Sequence, residues 1–220
     1  MIGIGERTTM DIDTTVKGLP INEDNMIRIM KEILAIDVGD GVTFIFKGLE
    51  PIRDNDYNNY RVLFDARLGK INNPMKMDIT TGDAITPSEI KYEYKSILDE
   101  KPISIFAYNL ETILAEKFEA ILQKGLANTR TRDFYDIYTL FSIYKNEINH
   151  THLRDAINHT FVQRNLLEYL NRWEEIVDEI ATDEYLIRQW EVYRKEYFHA
   201  KNISFDQTIN ALKEIGRIIE

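Results

Sequence analysis

Three aspartates lie in stretches whose alternation predicts β-strands. Asp11 and Asp13 alternate with the apolar Met10 and Ile12, and on a strand the residues at i and i+2 project from the same face. Two adjacent carboxylates repel each other, and a divalent cation that prefers hard oxygen ligands, Mg²⁺ or Mn²⁺, removes this repulsion. An Asp-x-Asp pair also occurs on exposed strand ends that bind no metal. The pair alone leaves both interpretations open.

Asp78 lies in a similar position, between the apolar Met77 and Ile79. An aspartate in the middle of a strand is disfavoured, so either a solvated edge or a metal shared with Asp11 and Asp13 must offset its cost. Three strand carboxylates would form the usual cradle for two-metal nucleotidyl or phosphoryl transfer. Whether these two stretches pair in a sheet is not determined by the sequence alone.

Lys117 interrupts the apolar stripe of a predicted helix at 109–124. A lysine at this position either extends its amine past the edge of the stripe or is held by anions such as a triphosphate or a carboxylate cluster. The apolar side chains that define the stripe are Leu110, Ile113, Leu114, Phe118, Ile121 and Leu122.

A second charged group lies at the start of the next predicted helix, 131–145. Asp133 and Asp136 are three residues apart and share one flank, where the helix dipole favours acids without any catalytic role. Arg130 and Arg132 stand beside them and are candidates for phosphate contact. A solvated basic turn explains the two arginines equally well.

The elements that must position these residues change type along the chain. A helix is predicted at 22–36, with Asn22 as its N-cap, and five short alternating runs between 40 and 109 predict consecutive strands. From 109 onward the apolar period becomes 3.6, which predicts helices at 109–124, 131–145, 149–162, 164–180, 183–198 and 204–219. The fold class is therefore α+β, a mixed, mostly antiparallel sheet followed by a C-terminal helical bundle, with predicted domains 1–108 and 109–220.

The composition limits the classes of function. The chain has 220 residues, a formal net charge of −10 and no cysteine, so a thiolate metal site is excluded and a general nucleic-acid coat protein is disfavoured. No apolar run reaches the ~18 residues that a membrane span needs, and the first residues do not have the pattern of a secretion signal. The expected location is the cytoplasm, without membrane contact.

Four short motifs, in this order, resemble those of the AbiEii/AbiGii toxin family within the polymerase-β-like nucleotidyltransferases. They span residues 7–138, whereas the last 80 residues match only in being helical. The matching residues are Arg7, Thr9, Asp11 and Asp13 in a first strand motif; Lys76 and Asp78 in a second; Glu111, Ala115, Glu116, Lys117 and Ala120 in a helix; and Arg132, Asp133, Tyr135, Asp136 and Tyr138 in the last.

The resemblance implies an enzyme that transfers a nucleotide from a nucleoside triphosphate to an acceptor such as the 3′ end of tRNA. Such an enzyme would be the toxin of a type IV toxin–antitoxin, or abortive infection, system, and a cognate antitoxin would restrain it. By the same resemblance Asp11, Asp13 and Asp78 would hold Mg²⁺ or Mn²⁺. Lys117 would contact the nucleotide phosphates, with Asp133 or Asp136 supporting it. The further nucleotide-binding residues would be Arg7, Thr9, Lys76 and Arg132.

The first motif departs from the family pattern at its start. The family has a Gly-Ser or Gly-Gly pair roughly ten residues before Asp-x-Asp, and that position falls before Met1. A glycine-led turn would supply backbone N–H groups to the triphosphate, so we expect the 220-residue form to bind nucleotide poorly. Two alternatives stay open: an inactive homologue that only binds a partner protein, and a metal enzyme that hydrolyses phosphate esters.

Overall fold

The computed structural model of the protein describes residues 12–18, 22–52, 59–95 and 102–220. Its contacts divide the chain into two compact units, one within Thr8–Asp83 and the other containing Ala84–Glu220. We refer to them as the sheet unit and the helical unit. None of the helices in the described ranges is both long enough and apolar enough to cross a membrane.

The sheet unit consists of one helix and a four-stranded sheet. The elements are β1 (Ile12–Val16), α1 (Glu23–Leu34), β2 (Val42–Ile52), β3 (Asn59–Leu68) and β4 (Ile71–Thr81). The strands run in the order β1-β4-β3-β2. Strands β2, β3 and β4 form the antiparallel meander that their consecutive patterns predicted, while β1 lies parallel to β4. This confirms the mixed, mostly antiparallel sheet.

Alternation along the strands gives this sheet one apolar face and one polar face. Helix α1 begins at its predicted cap, where the Asn22 side chain accepts a hydrogen bond from the Asn25 N–H at 2.9 Å. Its apolar stripe covers the sheet. The buried side chains of this small core are Met26, Met30, Leu34, Tyr60, Val62, Phe64 and Ile79. The residues between these strand positions must therefore project from the opposite face.

Near the start of the helical unit, a segment that includes Thr86 and Ser88 is hydrogen-bonded to the N-cap of the first long helix. The Asn109 side chain accepts a hydrogen bond from the Thr112 N–H and donates to the carbonyls of Thr86 and Ser88, all at 2.8 Å. The hairpin strands are β5 (Ile90–Tyr94) and β6 (Ile103–Ala107). The predicted boundary between 108 and 109 lies inside this unit, because the hairpin groups with the helices.

The apolar period of 3.6 in this region corresponds to helices, as predicted, with one difference. The predicted helix 164–180 is wrong as a single element: Asn165, with φ of 55°, follows the end of one helix, and Arg172 separates two short ones. Trp173 and Trp190 are both buried in the core of this unit. The helices are α2 (Leu110–Lys124), α3 (Thr131–Ile143), α4 (His150–Gln163), α5 (Leu167–Asn171), α6 (Trp173–Thr182), α7 (Glu184–Glu196) and α8 (Phe205–Ile219).

Candidate active site

Asp13 and Asp78 lie side by side on the polar face of the sheet. They are direct partners in the parallel pairing of β1 with β4, where neighbouring strands are about 4.8 Å apart. Two residues further along, the hydroxyl oxygens of Thr15 and Thr80 lie 2.7 Å apart, so these two side chains also face the same side of the sheet. The pairing that the sequence could not determine is therefore present.

Arg61 holds Asp78 from the neighbouring strand β3. The two residues are partners in the antiparallel pairing of β3 with β4. The Arg61 Nε donates to Oδ1 of Asp78 and Nη2 donates to Oδ2, both at 2.7 Å. Such a bidentate contact fixes the plane of the carboxylate as well as its position. Arg61 belongs to none of the sequence motifs, although its place between the buried Tyr60 and Val62 assigns it to the polar face.

Asp83, just beyond the end of β4, is another residue outside the sequence motifs. Its Oδ2 accepts a hydrogen bond from the Thr15 hydroxyl at 2.9 Å, and the Thr80 hydroxyl bonds to the same oxygen. The Asp83 carboxylate thus links β1 to β4 at Thr15 and Thr80, two residues along each strand from Asp13 and Asp78. This contact reinforces the strand pairing that places the two candidate ligands together.

The donor chemistry of this face suits a hard divalent cation. Two carboxylates from facing strand positions supply oxygen ligands of the type that Mg²⁺ and Mn²⁺ prefer. Asp11, the third predicted ligand, lies outside the described residues, as do Arg7 and Thr9. Within the part of the chain that the structure describes, no group of three His, Cys, Asp or Glu residues could hold a metal ion.

The helical unit contains a second charged cluster, built on α2 and α3. The Lys117 amine lies 3.3 Å from Oδ1 of Asp133 and 2.7 Å from Oδ2 of Asp136. Asp133 and Asp136 are buried, whereas a quarter of the Lys117 side chain is exposed. The anions that hold this lysine within an apolar stripe are thus carboxylates, and three-residue spacing on α3 puts both on the same flank.

The other acids of α2 bind the two ends of α4. Glu111 accepts a hydrogen bond from the Asn149 N–H at 2.9 Å, at the start of α4. Glu116 and Glu119 both pair with Arg164, the residue that follows α4. These acids of the helix motif have structural partners, and they fix the helix that carries Lys117.

Glu119 is the most deeply buried of these acids, with 1% of its side chain exposed. Burial raises the pKa of its carboxyl above the usual 4.5, and the positive charge and hydrogen bond of Arg164 oppose the rise. Its Oε1 is buried and has no hydrogen-bond partner among the described residues. Burial therefore outweighs the ion pair at this position.

The two remaining predicted nucleotide-binding residues are exposed to solvent. Lys76 lies on β4, two residues before Asp78, and Arg132 lies in the first turn of α3. Alternation along β4 assigns Lys76 to the same polar face as Asp78. Both side chains have the charge and the exposure that an anionic ligand requires.

These features agree with a comparison against known protein families. The profile of one family, the nucleotidyl transferase AbiEii toxins of type IV toxin–antitoxin systems, matches residues 1–211. The match covers nearly the whole chain, including most of the C-terminal helices that the four motifs did not reach. The chain belongs to the AbiEii nucleotidyltransferase toxin family.

Two solved structures from Helicobacter pylori are similar to this chain. The protein JHP933 is 19% identical over 99% of this chain and 78% of its own, with a TM-score of 0.48. A candidate nucleotidyltransferase is also 19% identical, over 99% of this chain and 80% of its own, with a TM-score of 0.44. No curated protein matches the chain.

Proposed function

We propose that the protein transfers a nucleotide from a nucleoside triphosphate to the 3′ end of an RNA, with tRNA as the acceptor. In this reaction the acceptor hydroxyl oxygen bonds to the α-phosphorus. The bond from that phosphorus to the bridging oxygen breaks, pyrophosphate leaves, and the hydroxyl proton passes to a base or to water. The reaction belongs in the cytoplasm, where both substrates occur.

The observation that carries the proposal is the juxtaposition of Asp13 and Asp78 on one sheet face in a chain of a nucleotidyltransferase family. We assign Asp11, Asp13 and Asp78 to the binding of Mg²⁺ or Mn²⁺. When bound, the cation neutralises charge that develops on the phosphates during transfer. The protein's own contribution is to hold the two carboxylates side by side, through the pairing of β1 with β4.

Lys117 is assigned to the nucleotide phosphates. The carboxylates of Asp133 and Asp136 hold its amine in a fixed position, and a preorganised cation stabilises developing negative charge at little cost in reorganisation. Arg7, Thr9, Lys76 and Arg132 are assigned to nucleotide binding as well. Of these four residues, Lys76 and Arg132 are described and exposed, and their side chains would make direct phosphate contacts.

Membership in a type IV toxin–antitoxin family implies an antitoxin partner. We propose that this partner is a cognate protein that suppresses the transferase when both are present. Co-expression with the cognate antitoxin should restore growth of cells that the active protein inhibits. Persistent inhibition by an Asp78→Asn variant would separate toxicity from transfer and contradict the assignment.

The direct test is incubation with each α-labelled nucleoside triphosphate, Mg²⁺ and total tRNA. Label on tRNA that depends on the divalent cation supports the proposal. Release of monophosphate or phosphate without labelled RNA would indicate hydrolysis, and no turnover would indicate a protein that only binds a partner. Asp178→Asn is a matched control, because Asp178 is an exposed aspartate paired with Lys213 in the helical unit.

A further inference from the structure

The contact between Arg61 and Asp78 places a cation on a predicted metal ligand. Both carboxylate oxygens of Asp78 accept hydrogen bonds from the guanidinium. Asp13 is the partner of Asp78 in the strand on its other side. The three facing positions across β1, β4 and β3 are therefore two acids, Asp13 and Asp78, followed by the base Arg61. Like charges at facing strand positions repel, and the guanidinium offsets that repulsion.

The same guanidinium opposes a divalent cation that uses these carboxylates. A cation bound to Asp13 and Asp78 would lie near a permanent positive charge, since arginine does not lose its proton in proteins. Arg61 has 37% of its side chain exposed and Asp78 has 22%, so solvent reaches the pair. Solvent that reaches both groups screens their attraction, so another ion can compete for either partner.

Phosphate is the alternative anion that fits Arg61 best. A planar guanidinium fork binds carboxylate and phosphate in the same bidentate geometry. A nucleoside triphosphate that arrives with its divalent cation brings one partner for Asp78 and another for Arg61. The two ion pairs can therefore be exchanged without leaving a charge unpaired.

We propose that Arg61 is a resident counter-ion of Asp78 that a divalent cation displaces when it arrives with the nucleotide, and that Arg61 then pairs with a nucleotide phosphate. The proposal rests on the metal and nucleotide site described under the proposed function. It predicts that loss of Arg61 moves two affinities in opposite directions. The affinity for the metal alone rises, and the affinity for the metal–nucleotide complex falls.

The experiment uses the full chain and needs no transfer activity. Mn²⁺ binding is measured by electron paramagnetic resonance, and binding of a labelled nucleoside triphosphate in Mg²⁺ is measured by equilibrium dialysis. The variants are Arg61→Gln, Arg61→Lys and the control Arg67→Gln. Arg67 lies on the same strand and is exposed, and its Nε donates to Asn72 at 2.8 Å.

For Arg61→Gln we expect the Mn²⁺ dissociation constant to fall about fivefold, the upper end for a solvent-accessible ion pair. The nucleotide dissociation constant should rise about tenfold or more, as for the loss of a charge-assisted contact. Arg61→Lys should lie between Gln and the wild type in both measurements. Arg67→Gln should change neither by more than about twofold.

Unchanged, weaker or undetectable Mn²⁺ binding by Arg61→Gln would overturn the counter-ion role. Unchanged nucleotide binding would overturn the phosphate contact. Thermal unfolding of each variant shows whether the sheet is intact, and Arg61→Lys retains the cation if Gln destabilises it. If the wild type labels no RNA while both affinities shift as expected, the proposed transferase function fails and the exchange stands.

Discussion

The two units hold their charged clusters in opposite ways. On the sheet, Asp78 and Arg61 are both partly exposed and meet across neighbouring strands. In the helical unit the carboxylates of Asp133 and Asp136 are buried, and the cation, Lys117, is the member that reaches solvent. The same chemical pairing of acid and base thus occurs on an open face and within a packed core.

This difference in burial gives the two charged clusters different roles. An ion pair on an open face can change partners, because water replaces whatever leaves. A buried carboxylate that loses its cation keeps an uncompensated charge, so removing one partner strongly destabilises the fold. The sheet unit is therefore suited to binding ions and ligands, and the helical unit is suited to fixing one side chain.

The largest expected effect comes from Asp78→Asn. Removing one oxygen ligand of the cation should lower the rate of nucleotide transfer by about 10³-fold, or roughly 4 kcal/mol of transition-state stabilisation. The unfolding free energy should change by only about 1 kcal/mol, since the ion pair is solvent-accessible. Labelled transfer to tRNA and urea denaturation measure the two. A much larger loss of unfolding free energy would contradict this prediction, because the Arg61–Asp78 pair would then behave like the buried cluster around Lys117.

The next effect is on stability and belongs to Lys117→Met, which keeps the length of the side chain and removes its charge. Asp133 and Asp136 would stay buried without their cation, so the free energy of unfolding should fall by about 3 kcal/mol. Urea denaturation followed by helical circular dichroism measures it. Lys145→Met is the control, because Lys145 pairs with Glu214 on the surface and should cost less than about 1 kcal/mol. Equal losses would contradict the contrast between buried and exposed ion pairs.

Gly216→Ala tests packing instead of charge in the helical unit. A Cβ at this position of α8 would lie 2.4 Å from two ring atoms of the buried Trp173. Overpacking should outweigh the gain in helix propensity and lower the free energy of unfolding by about 2 kcal/mol. In the sheet unit, a Cβ at Gly48 meets no atom of the described residues within 4 Å, so Gly48→Ala should change the free energy of unfolding by no more than about 0.5 kcal/mol. Similar losses at both positions would contradict this account.

The smallest effect concerns the pH dependence that Glu119 imposes. Because burial raises the pKa of this carboxyl, its contribution to stability is complete below the usual 4.5 and is lost as the pH rises through the folded-state pKa. Glutamine copies the protonated form. The unfolding free energy of Glu119→Gln, relative to the wild type, should therefore increase as the pH rises from 4.5 towards neutrality in denaturant titrations.

Glu175 provides a control of opposite sign. The hydrogen bond and charge of Arg172 lower the pKa of the exposed Glu175 carboxyl, so its contribution is present above its usual pKa and is lost as the pH falls. Glu175→Gln should lose stability relative to the wild type as the pH rises through that range. The same sign for both variants would contradict the assignment of burial as the cause at Glu119.

Much of the local structure could be predicted from the sequence. Alternation with period 2 predicted the five strands after Gly39, and period 3.6 predicted the helix boundaries to within a few residues, because both follow from which face each residue buries. The break at Arg172 could not be predicted, since the apolar period of 164–180 continues through it. The sequence could suggest that anions hold Lys117, but it could not show that these anions are the carboxylates of Asp133 and Asp136.

The sequence by itself determined the chemistry available to this protein: acids at i and i+2, a lysine within an apolar stripe, and no thiol. Only the tertiary structure decided that Asp78 lies beside Asp13, that Arg61 occupies both oxygens of Asp78, and that Asp83 joins the two strands. The physical reason is that side-chain direction is a local property with a fixed period, whereas strand order joins segments more than sixty residues apart. Pairing at that distance depends on how the whole sheet packs on α1, which no single segment encodes.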